Sequence, residues 1–360
     1  MNFFGRIAAF VVCAAATFFV IFCAYPKTTG KTSDIIATGK YKAVLTLWHV
    51  DSFEGGVGSR ADFLSSALLK MRNDGVIVLV KSQTVESMRS AISNGELPDL
   101  VSLGGGCADI MKFARELPVD KLYGGTNLKG FAGGEKGGKY YAAPWCFGGY
   151  YLIVKSEDNR LIEGFLQGNG EKNVKKLVVS QGENTLPMLA LKTAGVTATD
   201  VAYYPPYDAY VNFLGQSEAV LLGTQRDLRR LEKRGAAFSA VALEGFSDIV
   251  QYVAVTTKAD EKYAYCLNAV KLLLDETVQA KLGKIGMMRA VGNTSGNTSG
   301  SLDGNEAGVD FYGYDFLKNE YTASVFLSEE LIRSAQSELK GKNGGEKLSE
   351  NVKNGLKNLK

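Results

Sequence analysis

Histidine is nearly absent from this 360-residue chain, occurring once, at His49. A Ser-His-Asp triad or a zinc site would have to use that one residue, with no second imidazole to help. No Gly-x-Ser-x-Gly or His-Glu-x-x-His pattern marks a hydrolase either. Cysteine is sparse, at five. Cys13 and Cys23 fall in the first apolar stretch. Cys107, Cys146 and Cys266 are scattered, odd in number and without a Cys-x-x-Cys pair, so neither a disulfide framework nor a thiolate metal site is expected. They read as small buried hydrophobes. Tryptophan occurs twice, at Trp48 and Trp145, and proline only seven times. Charge of one sign is missing too. With 41 basic and 38 acidic residues the net charge is +3, too balanced for a nucleic-acid surface.

What is present is globular. Hydrophobic residues make up 46% and charged residues 22%, enough for two cores. Glycine is abundant, at 41, and many turns and close backbone approaches should follow. At the N-terminus Arg6 precedes an apolar run over 7–25. That is the pattern of an export signal or membrane anchor, and it places the rest of the chain outside the cytoplasm. Cys23 invites a lipoprotein reading, but Phe22 stands where a small residue is expected. Residues 26–40 read as a polar linker.

From residue 43 the pattern is β-α-β-α-β. An apolar run over 43–50 is a buried strand. Ser59 caps a helix over 59–73, with Asp62 as partner and Gly75 as its stop. A strand over 76–80 follows, then a helix capped by Thr84 and closed by Gly95, then a strand over 99–103. Such units build parallel sheets with right-handed crossovers, and ligands sit beyond the strands' carboxyl ends. Those ends are the Gly-rich loops 50–58 and 104–109, the second holding Gly105. Further strands are expected over 177–180, 219–222, 238–243 and 249–255, with helices over 185–193, 225–233, 260–274, 275–282 and, capped by Ser328, from 328 onward. Residues 292–308, with Asn293-Thr294-Ser295-Gly296 repeated at Asn297, read as a loop.

Several residues are candidates for a binding cleft. His49, at a strand's end, reads equally as a hinge residue or a ligand contact. Asp51 and Glu54 can accept hydroxyl hydrogen bonds from a sugar or can favour a helix N-terminus. Phe53 in a polar turn fits a cleft. Trp48 reads as core. Trp145 offers a flat face for stacking. Tyr203, Tyr204 and Tyr207 flank Pro205-Pro206 and form either a ligand wall or loop packing. Gln225 and Arg226 follow a strand end, and Arg226 either meets an anion or salt-bridges on its own helix.

Four stretches together resemble the family 1 extracellular solute-binding proteins of bacterial ABC importers: Leu45-Thr46-Leu47-Trp48-His49 with its Gly-rich turn, Gly95-Glu96-Leu97-Pro98-Asp99, Tyr140 to Trp145 with Tyr150-Tyr151, and Ala219 to Gly223 with the helices up to Met287. The resemblance implies an α/β fold of two discontinuous lobes joined by a hinge, the periplasmic-binding-protein type II arrangement with a shortened second lobe. It places the first lobe at 41–144 and 250–300, the second at 145–249 and 301–327, and C-terminal helices at 328–360. It implies a membrane-tethered monomer that breaks no bond, needs no cofactor or metal, captures a small solute of the carbohydrate class and delivers it to an ABC permease. Thr224, Gln225 and Arg226 stand where many members carry a tryptophan, which weakens the case for sugar stacking there. Two other readings stay open. One is a glycoside hydrolase using Asp51 and Glu54. The other is a ligand-independent sensor or adaptor on a degenerate binding fold.

Overall fold

The computed structural model describes residues 41–122, 129–166, 172–291, 314, 319, 321–340 and 349–357. The expected signal or anchor over 1–25, the linker over 26–40, Cys13, Cys23 and the loop over 292–308 lie outside these residues. Among the described residues no helix is long and apolar enough to cross a membrane.

Two sheets organise the chain. The first contains β1 (Ala43–Val50), β2 (Val76–Gln83), β3 (Leu100–Leu103), β4 (Ala143–Phe147), β10 (Val250–Val255) and β11 (Met288–Arg289), in the order β11-β4-β10-β3-β1-β2. The second contains β5 (Tyr150–Lys155), β6 (Asn173–Ser180), β7 (Thr197–Tyr204), β8 (Val220–Thr224) and β9 (Phe238–Leu243), in the order β9-β5-β8-β6-β7. Both follow one plan. Three parallel strands put the first of them in the middle, and an antiparallel strand from a crossing packs beside the third. The central strands β1, β4, β5 and β10 are buried on both faces, which is why they read as unbroken apolar runs rather than alternating ones.

The helices stand where their caps place them. In α1 (Arg60–Leu68) the Ser59 hydroxyl accepts the Asp62 N–H, and the following turn ends at Gly75 with φ +79°. In α2 (Val85–Ser93) Thr84 and Ser87 form a reciprocal capping box, a contact worth about 1 kcal/mol. The second-lobe helices are α3 (Pro187–Thr193), α4 (Pro206–Gly215) and α5 (Gln225–Arg234). α3 and α4 each begin on a proline, whose fixed φ and missing N–H suit the first helical position. Then come α6 (Asp260–Leu273), α7 (Glu329–Leu339) and α8 (Glu350–Lys357).

The tyrosine-rich stretch around Pro205-Pro206, which carries no clear periodicity, divides into the end of β7 and the start of α4. β4 belongs whole to the first sheet, so the chain passes between lobes at Gly148-Gly149 and not directly after Pro144. Side chains leave no room at this crossing. A Cβ on Gly148 would stand 2.4 Å from Gln225 Nε2, and one on Gly149 would stand 2.5 Å from the Tyr314 ring. The return runs through Ser247 to Val250, with Gly148 N–H donating to Ile249 O at 2.7 Å. A third passage, Tyr321–Thr322, pairs with Phe246–Ser247. Cys107, Cys146 and Cys266 are all buried, and burial pushes each thiol up to about 12.

Candidate functional site

A groove of about 840 Å³ lies between the lobes, at the carboxyl ends of the parallel strands. From the first lobe it is lined by residues between Asp51 and Arg60, after β1, and by Ser82 to Glu86, at the end of β2 and the start of α2. From the second it receives Gly182, Glu183, Asn184, Pro206 and Arg226. The N-termini of α1 and α2 both border it. The position follows from the parallel sheets; the lining depends on which side chains reach it.

Four sequence-derived candidates line the groove: Asp51, Phe53, Glu54 and Arg226. Glu54 crosses the gap. Its carboxylate meets Arg226 Nε at 3.0 Å and Arg230 Nη2 at 2.6 Å. Arg230 also binds the buried Asp227 at 3.0 Å. Arg226 is therefore held by a carboxylate of the other lobe, not by the acids of its own helix. The cluster forms a clasp between the lobes. The Glu54 pairs that cross between the lobes are partly exposed, so they are worth about 1 kcal/mol after screening. Glu54→Gln is expected to shift the lobes several-fold toward an open arrangement, read as a larger radius of gyration by X-ray scattering, with high salt doing the same to the wild type. An unchanged scattering profile would show that the clasp does not set lobe spacing.

Six candidates sit elsewhere. His49 is fully buried. Its ring bonds Ser102 Oγ at 3.1 Å and Asp51 Oδ1 at 2.9 Å. Ser102 Oγ already accepts the Trp145 indole N–H at 3.0 Å and a Gln251 amide N–H at 3.2 Å. Its own hydrogen must then go to His49 Nδ1, which leaves the imidazole proton on Nε2, donated to Asp51. Trp145 has no exposed surface. One face stacks on Phe63 at 5.8 Å and its edge meets His49, so no face remains for a ring sugar. Gln225 is buried and accepts the Gly149 N–H at 3.0 Å, bracing the crossing. Gly105 packs beneath Ile332 of α7. Tyr203 is half-buried, its hydroxyl donating to Leu339 O at 3.4 Å, and Tyr204 is partly buried against a hydrophobic cluster that includes Tyr210 and Phe213.

The residues that the sequence did not single out are the informative ones. Arg60 is 4% exposed and gives Nε and Nη2 to Asp51 at 3.0 and 2.6 Å, with Nη2 also on Phe53 O at 2.6 Å. Its plane lies 4.2 Å over the Phe53 ring. Burial alone would raise the Asp51 carboxyl, but the His49 hydrogen bond and the Arg60 charge outweigh it and hold the group well below the usual carboxylate range. Arg60 Nη1, Ser52 Oγ and Asn184 Oδ1 are buried with no hydrogen-bond partner. All three residues line the groove. An orphaned buried polar atom costs about 1–3 kcal/mol, and these three belong to groove-lining residues of both lobes, with Ser52 Oγ packed toward Gly104 and Asn184 Oδ1 toward Gly106. Nothing in local pattern announces them, because Arg60 reads as a surface charge at a helix start.

Ser102 and His49 are buried behind the exposed Asp51, and the serine oxygen is saturated by N–H donors. Among the described residues no group of three His, Cys, Asp or Glu side chains is placed to hold a metal ion.

The sequence matches no family model and no curated protein. Solved structures do match. The sugar-binding protein MalE of Xanthomonas citri superposes with a TM-score of 0.56 at 12% identity, over 88% of this chain and 96% of that one. The maltose-maltodextrin binding protein of Alicyclobacillus acidocaldarius gives 0.55 at 12%, over 88% and 99%. An ABC transporter solute-binding protein of Thermotoga lettingae, bound with alpha-D-tagatose, gives 0.53 at 13%, over 88% and 99%. The fold of this chain is that of the two-lobe, type II periplasmic binding proteins.

Proposed function

We propose that this protein is an extracytoplasmic solute-binding protein. It captures a small uncharged polar solute, of the carbohydrate class, between its lobes and presents it to an ABC permease, working as a monomer tethered through its N-terminal segment. The observation that carries this reading is the set of three orphaned polar atoms around one groove. Arg60 Nη1 offers a donor, Asn184 Oδ1 an acceptor and Ser52 Oγ either. Hydroxyl groups satisfy both kinds at once. The sugar-binding neighbours with the same fold support the same class. An anion is disfavoured, since Asp51 and Glu54 already hold the positive charges of Arg60 and Arg226. Recognition by hydrogen bonds without an aromatic platform favours a small ligand over a long oligosaccharide.

Binding without turnover is the reading that the carboxylates support. Asp51 is held ionised by Arg60 and His49, and Glu54 is engaged by the guanidinium groups of Arg226 and Arg230, whereas a glycosidase needs an acid free to give its proton to the leaving group. The clasp also gives a second reading some support. Lobes joined by Glu54 without solute fit a ligand-independent adaptor.

The test is a thermal-shift titration with D-glucose, maltose, D-tagatose and glucose 6-phosphate. A solute at a hundred times its dissociation constant adds about 2.7 kcal/mol. Stabilisation by a neutral sugar supports the importer reading. Stabilisation by the phosphate alone defeats the uncharged class. No shift with any of the three neutral sugars favours the adaptor.

A further inference from the structure

Helix α7 bridges the two lobes. Its start is held on the first. Leu327 O accepts the Gly106 N–H at 3.1 Å, Ser328 forms β-bridges with Gly106 and Cys107, and Glu329 meets Arg89 at 2.6 Å. Its end is held on the second. Tyr203 donates to Leu339 O, and Lys340 lies 5.1 Å over the Tyr203 ring. Between these anchors stands Gln336. Its Nε2 amide donates to the carbonyls of Gly182 at 3.0 Å, Glu183 at 3.0 Å and Thr185 at 2.8 Å. The three carbonyls flank Asn184, whose Oδ1 is one of the orphaned atoms of the groove.

Two amide hydrogens shared among three carbonyls tie α7 to a loop that is otherwise held by Gln181, whose Nε2 also donates to Thr185 O at 2.8 Å, and by the Gly182 N–H on Thr185 Oγ1 at 3.0 Å. The loop also touches the first lobe closely. Gly106, at φ +85°, passes so near that a Cβ there would stand 2.4 Å from Asn184 Oδ1. The same helix therefore grips Gly106 through Leu327 and the Asn184 loop through Gln336.

We propose that Gln336 is a positioning residue for the groove. From a helix pinned to the first lobe, it sets where the second lobe presents Asn184 to the solute. The proposal rests on the solute-binding reading above and adds to it a control point outside the groove. Gln336 is absent from the groove lining, so it acts only through the loop.

The side chain must donate, which gives the test its logic. Gln336→Glu points an acceptor at three carbonyls, whereas Gln336→Lys restores three donors on a side chain of similar reach. Gln336 is only half-buried, so both variants should fold. Two readouts are needed. Amide hydrogen exchange over 182–186 is expected to speed up about tenfold in Gln336→Glu, as one net hydrogen bond is lost, with the β6 amides unchanged and Gln336→Lys near wild type. The dissociation constant for maltose, used as the probe, is expected to rise about tenfold in Gln336→Glu and to recover in Gln336→Lys. A residue that only stabilised the fold would move the β6 amides together with the loop, and that result overturns the proposal. So does unchanged exchange over 182–186, or failure of lysine to rescue. If wild type binds neither maltose nor the other sugars, the solute reading falls and with it the role of Gln336 in presenting Asn184, whatever the exchange shows.

Discussion

Arg60→Met is expected to weaken binding of the neutral sugar about a hundredfold and Ser52→Ala about tenfold, while only Arg60→Met costs the unliganded protein stability. A hydrogen bond from a charged donor is worth about 1.5–3 kcal/mol and a neutral one about 1 kcal/mol, and each 1.4 kcal/mol is tenfold in affinity. Without solute the ledger differs. Arg60 holds Asp51 and Phe53 O together and covers the Phe53 ring. Removing it leaves a buried carbonyl unpaired and a carboxylate with only His49, at a cost of about 1–2 kcal/mol, kept small because Asp51 is 64% exposed to water. Ser52 holds nothing: its hydroxyl is buried and orphaned. Alanine there should leave the unliganded protein unchanged or up to about 1 kcal/mol more stable. Calorimetric titration and urea denaturation on the same two variants decide the matter. Ser52→Ala that binds like wild type would remove this hydroxyl from the site. Ser52→Ala that is markedly less stable would mean that the atom has a partner after all. Arg60→Lys separates charge from geometry, since the ammonium keeps the charge but cannot reach Asp51, Phe53 O and the solute together.

These residues also show where sequence reading stops. The first lobe's βαβαβ unit was legible because each cap and glycine stop acts locally. Ser59 and Thr84 cap the helices expected of them, and Gly75 takes the left-handed conformation that ends its helix. The position of the groove followed from parallel topology, and with it Asp51, Phe53 and Glu54. Trp145 misleads because β4 is buried on both faces. Apolar residues then alternate with nothing, and no periodic signal tells a ring facing the groove from one locked between Phe63 and His49. Arg226 shows the same limit from the other side. Its partner, Glu54, lies in the other lobe, while the acids on its own helix were the only ones that spacing could offer. Arg60, Ser52 and Asn184 were out of reach for a deeper reason. What distinguishes them is a missing partner, and whether an atom has a partner is settled only when distant segments meet.

Stability should rise as pH falls from 7 toward 4 through two buried carboxylates, against the usual direction of acid titration. Asp248 sits at the return crossing, where it accepts the Tyr150 hydroxyl at 2.6 Å and the Leu186 N–H. Asp227 lies under the clasp, accepting the Thr224 N–H at 3.0 Å beside Arg230. Burial pushes each carboxyl up to about 6, despite these hydrogen bonds. In the unfolded chain an aspartate titrates near 3.9. Between those values the folded state binds the proton and the unfolded state does not. The stabilising contribution is thus full below about 4 and is lost as pH rises through about 6. For one such group the gain from pH 7 to pH 5 is about 1.4 kcal/mol, and at pH 4 it is about 2.4 kcal/mol. Asp51 works the other way. Its carboxyl is held low, so its contribution is present above about 4 and fades as pH falls through its lowered folded value. Whole-protein stability mixes the two, and the variant Asp248→Asn isolates one. An asparagine cannot accept from both donors, so it carries a constant cost at every pH. What matters is the slope. The stability difference between wild type and Asp248→Asn, from urea denaturation, should widen in favour of wild type by about 1.4 kcal/mol between pH 7 and pH 5. A difference that stays constant over that range would mean that Asp248 is not titrating there and that the crossing holds a carboxylate already ionised.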